Sequence, residues 1–105
     1  MKKIIDGRII DTAKGERIAC RGTHHNYNND PMGWESIELV DSVYYLETRG
    51  GSDLRGGSND IFPPEDDIDI IGQGCADALM PWLASHEEWA MEPALIAHIE
   101  QTMTA

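Results

Sequence analysis

The stretch Trp34–Gly57 reads WESIELVDSVYYLETRGGSDLRGG, and its reading decides the fold. It holds the densest β-favouring sequence in the chain: Ile37, Leu39 and Val40, then Val43, Tyr44, Tyr45 and Leu46. Asp41-Ser42 interrupts the apolar run and Gly50-Gly51 ends it. Two short antiparallel strands joined by a tight turn at Asp41-Ser42 account for this pattern. A single strand bulged at that point is the competing account. Either way the stretch is the centre of a sheet, and the sequences on both sides are read as its partners.

Towards the N-terminus, Ile4-Ile5 and Ile9-Ile10 flank Asp6-Gly7, a hairpin turn signal because Gly tolerates positive φ. Asp11-Thr12 opens a short turn or helical segment running through Ala13 to Glu16. Ile18-Ala19-Cys20 is read as a short strand, and Gly22 to Gly33 as a polar, Asn-rich loop punctuated by Asp30-Pro31.

Towards the C-terminus, GGSDLR and GGSNDI form a near repeat of period six, read as two glycine-rich turns around a short strand. The period does not fit calcium-binding β-rolls, and no Gly-Lys-Ser/Thr follows to make a phosphate loop. Phe62 to Asp67 reads as a stiff acidic loop, its two prolines unsuited to a central ladder. Ile68 to Ile71 is the last expected strand. Ala76, Leu79, Met80 and Leu83 then fall at i, i+3, i+4 and i+7, one apolar helix face, with Pro81 predicting a kink or break near Met80. Ser85-His86-Glu87-Glu88 resembles a capping box before Trp89. Pro93 suits the first position of a final helix to about Met103, with Leu95, Ile96, Ile99 and Met103 on its inner face. The expected architecture is α+β: an antiparallel meander of about four to six short strands with C-terminal helices packed on one face.

Length and composition agree with one domain spanning 1–105, ordinary in its 41% apolar content. No apolar run approaches ~18 residues, so no membrane contact is expected. The N-terminal MKKIIDGRIID is broken by Asp6 and Arg8 and does not read as a signal peptide, which makes the cytoplasm the expected location. Cys20 and Cys75 lack CxxC spacing and are expected to be reduced and mostly buried.

Charge is the strongest compositional signal. Eight Lys and Arg face nineteen Asp and Glu, for a net charge of −11. Residues 1–22 hold six basic residues and three acids, whereas no Lys or Arg follows Arg55. Such a field repels nucleic acid and attracts basic surfaces. The bland account is solubility alone.

No catalytic signature accompanies these elements. His24 and His25 are adjacent, so a strand would point them to opposite faces rather than at one metal. Cys75 and His86 could be imagined as nucleophile and base, but a cysteine on a helix face is more often structural. Excess acid makes carboxylate pairs uninformative. The expectation is a protein without catalytic residues, metal or cofactor.

The residues Lys3-Ile4-Ile5, Gly7 and Asp11-Thr12-Ala13 resemble the opening of a group of small bacterial and phage proteins that begin with a Lys-Ile-Ile-x-Gly-x-x-Tyr-Asp-Thr hairpin. The likeness continues through Glu38-Leu39, Tyr44-Tyr45-Leu46, Gly50-Gly51, Ile70-Ile71, and Ala78 with Trp82, covering residues 3–83. Ile10 stands where that group has tyrosine. Small acidic members of the phage accessory pool include anti-CRISPR proteins. The resemblance therefore implies an inhibitor that docks on a basic, nucleic-acid-binding surface of a host defence complex. The residues expected to meet such a partner are Asp60, Glu65, Asp66, Asp67 and Asp69, with Glu87 and Glu88 next. An immunity or antitoxin-type protein covering a basic toxin is the alternative, beside a soluble acidic domain of another role. The expected partner is a protein with a basic surface, not nucleic acid, and the chain is expected to be a monomer or homodimer.

Overall fold

The computed structural model describes residues 1–25, 31–50 and 66–103. The expected strand between the glycine-rich turns, the loop from Phe62 to Glu65, and the Asn-rich residues 26–30 lie outside the described residues.

The fold is α+β. Among the described residues, six antiparallel strands form two sheets: a hairpin of β1 (Lys2–Ile5) and β2 (Arg8–Asp11), and a meander of β3 (Glu16–His25), β4 (Pro31–Val40), β5 (Val43–Gly50) and β6 (Asp67–Gln73) in the order β3-β4-β5-β6. Helical segments follow: 3₁₀ turns at Ala76–Leu79 and Glu87–Trp89, with α1 (Met80–Leu83) and α2 (Pro93–Met103). Both sequence-predicted hairpins form. Val40 pairs with Val43 across Asp41-Ser42, and Ile5 with Arg8 across Asp6-Gly7. In each turn both central residues take positive φ: 49° and 65° at Asp41 and Ser42, 51° and 76° at Asp6 and Gly7. That backbone matches the right-handed twist of the paired strands. The bulged single strand is thereby replaced by two strands.

Alternation along β4 and β5 sorts their side chains to two faces. Ile37, Leu39, Tyr44 and Leu46 face the helical segments, where they pack with Leu79, Trp89, Leu95 and Ile99. Tyr45 points the other way, into a smaller cluster with Ile10 and Ile68 that the β1–β2 hairpin covers. Two bulges adjust this alternation. In β3 the register skips Ile18, so Ile18 and Ala19 both enter the helix-side core while Arg17 stays on the opposite face. In β6 it skips Ile71, which joins the same core.

Several expectations need correction. β3 and β4 run ten residues each, so Ile18–Cys20 is only part of a strand and most of Gly22–Gly33 is ladder. Backbone pairing from Cys20 to His25 proceeds without apolar side chains to announce it. Asp67 belongs to β6 rather than to a loop. The stripe Ala76–Leu83 does break near Met80, as Pro81 predicts. It is a 3₁₀ turn followed by a single α-turn, since Pro81 sits at the start of that turn and cannot donate an N–H to a preceding one. Ala76 and Leu79 are buried, but Met80 is 45% exposed. The capping box does not form: Ser85 Oγ donates to the Trp82 carbonyl (3.1 Å) of the preceding turn instead. Cys20 is half-buried and Cys75 exposed, because Cys75 precedes its 3₁₀ turn rather than sitting on a helix face. On α2, Leu95 and Ile99 are buried and Ile96 lies outward.

Candidate functional site

Of the seven acids expected to meet a partner, Asp60 and Glu65 lie outside the described residues. Two others are engaged inside the molecule. The Asp66 carboxylate accepts the Gly50 N–H (2.8 Å), joining the end of β5 to the start of β6. Asp67 accepts from Lys3 Nζ (2.6 Å) and from the Ile68 N–H (2.8 Å), while Lys3 also donates to the Ile68 carbonyl (3.0 Å). The bond from Lys3, helped by the Ile68 amide, holds the Asp67 carboxyl below the usual carboxylate range. The same bond raises the Lys3 ammonium. These contacts tie the β1–β2 hairpin to the edge strand β6.

Asp69, Glu87 and Glu88 are exposed. Asp69 lies on β6, and the two glutamates open the 3₁₀ turn that ends at buried Trp89. Asp77, in the first turn after Cys75, is a further exposed acid on the same C-terminal half, one the sequence reading did not single out. None of Asp69, Asp77, Glu87 and Glu88 forms an ion pair with a described residue. No family model, curated protein or solved structure matches this chain.

The cations upstream are placed differently. Arg17 Nε donates to Glu38 (2.7 Å) and its Nη2 lies 3.6 Å from Glu47. Arg49 Nε stands 3.3 Å from Glu47, and Arg21 bonds Glu35 (2.8 Å) with its guanidinium 5.8 Å from the centre of the Trp89 ring. Glu47 also accepts from Thr12 Oγ1 and lies 3.8 Å from the Met1 ammonium. Glu38 and Glu47 are almost fully buried on the hairpin-facing side of the sheet, and Glu47 lines a cavity of about 250 Å³ with Met1, Thr12, Ala13, Arg17 and Arg49. Sequence reasoning missed this network. In β4 and β5 the two glutamates alternate with apolar residues as solvent-facing acids do, and only the covering hairpin turns their face into an interior. Chemically it is a set of paired charges that joins β3, β4 and β5 across one face, with Met1 and Thr12 tying the N-terminal segment to it through Glu47.

His98 and His86 are engaged as well. Tyr44 Oη and His98 Nε2 are 2.7 Å apart, and burial pushes the Tyr44 phenol up. His86 stacks on Trp82 (ring centres 4.2 Å apart) and its Nδ1–H donates to the Trp82 carbonyl (2.8 Å). The ring is thus engaged within its own turn. The side chains of His24 and His25 lie outside the described residues.

Proposed function

We propose that this protein binds a protein partner through its acidic C-terminal half and covers a basic, nucleic-acid-binding surface there, as an anti-CRISPR-like inhibitor would. The observation that carries this reading is charge segregation in the folded chain. Residues 66–103 hold eight acids and no Lys or Arg, while Lys3, Arg17, Arg21 and Arg49 are engaged in internal ion pairs. Carboxylates held on folded elements can take the Lys and Arg positions that otherwise hold phosphates. Complementary fields of this kind speed encounter and make it salt-dependent.

The contact set is refined by the geometry. Asp69, Asp77, Glu87 and Glu88 are the acids to test, whereas Asp66 and Asp67 serve the fold. The partner is first captured from the native host on the immobilised protein. Wild type and an Asp77→Asn, Glu87→Gln, Glu88→Gln variant are then titrated against it at two salt concentrations. The variant should associate more slowly at low salt, with the gap narrowing at high salt, and wild type should displace nucleic acid from the partner. Equal affinities at both concentrations would falsify the reading.

A further inference from the structure

We propose that the cleft between the Glu87–Trp89 turn and α2 docks an amphipathic helix whose apolar side enters the cleft and whose flanks carry Lys or Arg. This deepens the proposed function and rests on it. The cleft holds about 300 Å³, with Trp89, Leu95 and Ile99 at its floor and Met80 and Ile96 on its walls. Met80 is 45% and Ile96 41% exposed, and Met91, beside the wall residue Ala90, is 86% exposed. Single exposed apolar residues are ordinary, but Met80 and Ile96 border one apolar concavity, with Met91 next to it in sequence, and this grouping points to a docking surface. Methionine walls also adapt to differing anchors.

Two observations select the occupant. The first is charge. Glu100 borders the cleft, Glu87 and Glu88 open the turn that forms one side, and Glu92 immediately precedes α2, while residues 66–103 contain no cation other than histidine. An apolar cleft with Glu100 at its edge and further acids on the adjoining elements favours a partner with basic flanks and repels an acidic one. The second is backbone. The surrounding amides of Ala84, Ala90, Glu92 and Ile96 already donate to the carbonyls of Met80, Glu87, Trp89 and Glu92. These walls therefore offer no open ladder to an added strand. An occupant must satisfy its own backbone, which a helix does, leaving anchors at i, i+3 or i+4 to fill the cleft.

The test uses the full chain and three fluorescein-labelled synthetic peptides: Leu/Lys with leucines at helical spacing, the same composition with leucines alternating, and a Leu/Glu helix. Fluorescence anisotropy at low salt should show the helical Leu/Lys peptide binding at least about fivefold tighter than its alternating isomer, with no binding of the Leu/Glu peptide. Ile96→Gln should abolish that preference without changing affinity for the alternating isomer. Met80→Gln provides the same test at a second, partly exposed wall position should Ile96→Gln alter the circular dichroism spectrum. Equal binding of both Leu/Lys peptides, unchanged by either variant, would overturn the cleft while sparing the acidic-surface reading. Failure of every basic peptide to bind would remove both. Self-association in sedimentation, lost in Ile96→Gln, would instead assign the cleft to a second copy of this chain and overturn the proposal.

Discussion

At the residue scale, Arg17 bridges two nearly buried carboxylates, Glu38 and Glu47. It is half exposed, yet its Nε is hydrogen-bonded to Glu38, whose side chain is only 3% exposed. That bond raises the guanidinium pKa further above its ordinary value. Glu47 has other neighbours in Arg49, Thr12 and Met1, whereas Arg17 is the one described cation in ion-pair contact with Glu38. Removing a single partner from a buried pair leaves a desolvated charge behind, and this costs far more than the pair contributes net. Because Arg17 is half exposed, water reaches part of the orphaned charge, and Arg17→Ala is expected to destabilise by about 1–3 kcal/mol, read as a shift in the urea midpoint at constant slope. Arg17→Ala combined with Glu38→Gln should recover part of the loss, because the orphaned charge is gone. A loss under about 0.5 kcal/mol, the range of ordinary surface changes, would mean that Glu38 reaches water once Arg17 is removed. This residue also marks a limit of sequence reading. Arg17 and Glu38 are 21 positions apart, and nothing in either neighbourhood announces that they pair across a buried face.

At the element scale, what was legible in the sequence is what local chemistry controls. Asp6-Gly7 and Asp41-Ser42 fix two hairpins, Pro81 breaks the first helical stripe near Met80, and Pro93 opens α2. The lengths of β3 and β4 were not legible, since ladder bonds between Cys20–His25 and Pro31–Ser36 use backbone groups that every residue but proline supplies. Nor was the docking of the hairpin onto the meander. That docking depends on Ile10 against Tyr45 and Ile68, and on the Lys3–Asp67 bond. The bond gives a pH-dependent outcome. Asp67 is held below its ordinary pKa, so its contribution is present above about pH 4 and is lost as pH falls through the lowered value. Lys3 is held above its ordinary pKa, so its contribution persists below about pH 10 and is lost as pH rises further. Asp67→Asn keeps an acceptor oxygen but removes the charge. It should unfold at lower urea than wild type at pH 7, and the gap should close below about pH 3. A gap that does not change with pH would show that shape and hydrogen bonding, rather than the carboxylate charge, hold the hairpin down.

At the scale of the whole molecule, the charge distribution sets folding and recognition against each other. The exposed cations Lys2, Arg8 and Lys14 lie in the N-terminal segment, while Asp69, Asp77, Glu87, Glu88 and Glu100 are exposed in the C-terminal half. Like charges on a folded surface repel one another more than in the expanded chain, so a net charge of −11 works against the compact state. The internal ion pairs pull the other way, but those of Arg17 and Arg49 end on buried carboxylates, which salt screens least. Self-repulsion should therefore dominate the response to salt. The thermal midpoint is expected to rise between about 0.02 M and about 0.5 M NaCl, as the screening length falls from roughly 20 Å to a few ångströms. Replacing Glu87 and Glu88 by Gln should raise the midpoint at low salt and leave it nearly unchanged at high salt. If the same variant also associates more slowly with a basic partner, these acids lower stability while serving recognition, the usual trade at a binding surface. A midpoint that falls as salt is added would mean that the acids are compensated within the chain. The field proposed to draw a basic partner would then be too weak to do so, and the apolar cleft would have to account for binding without it.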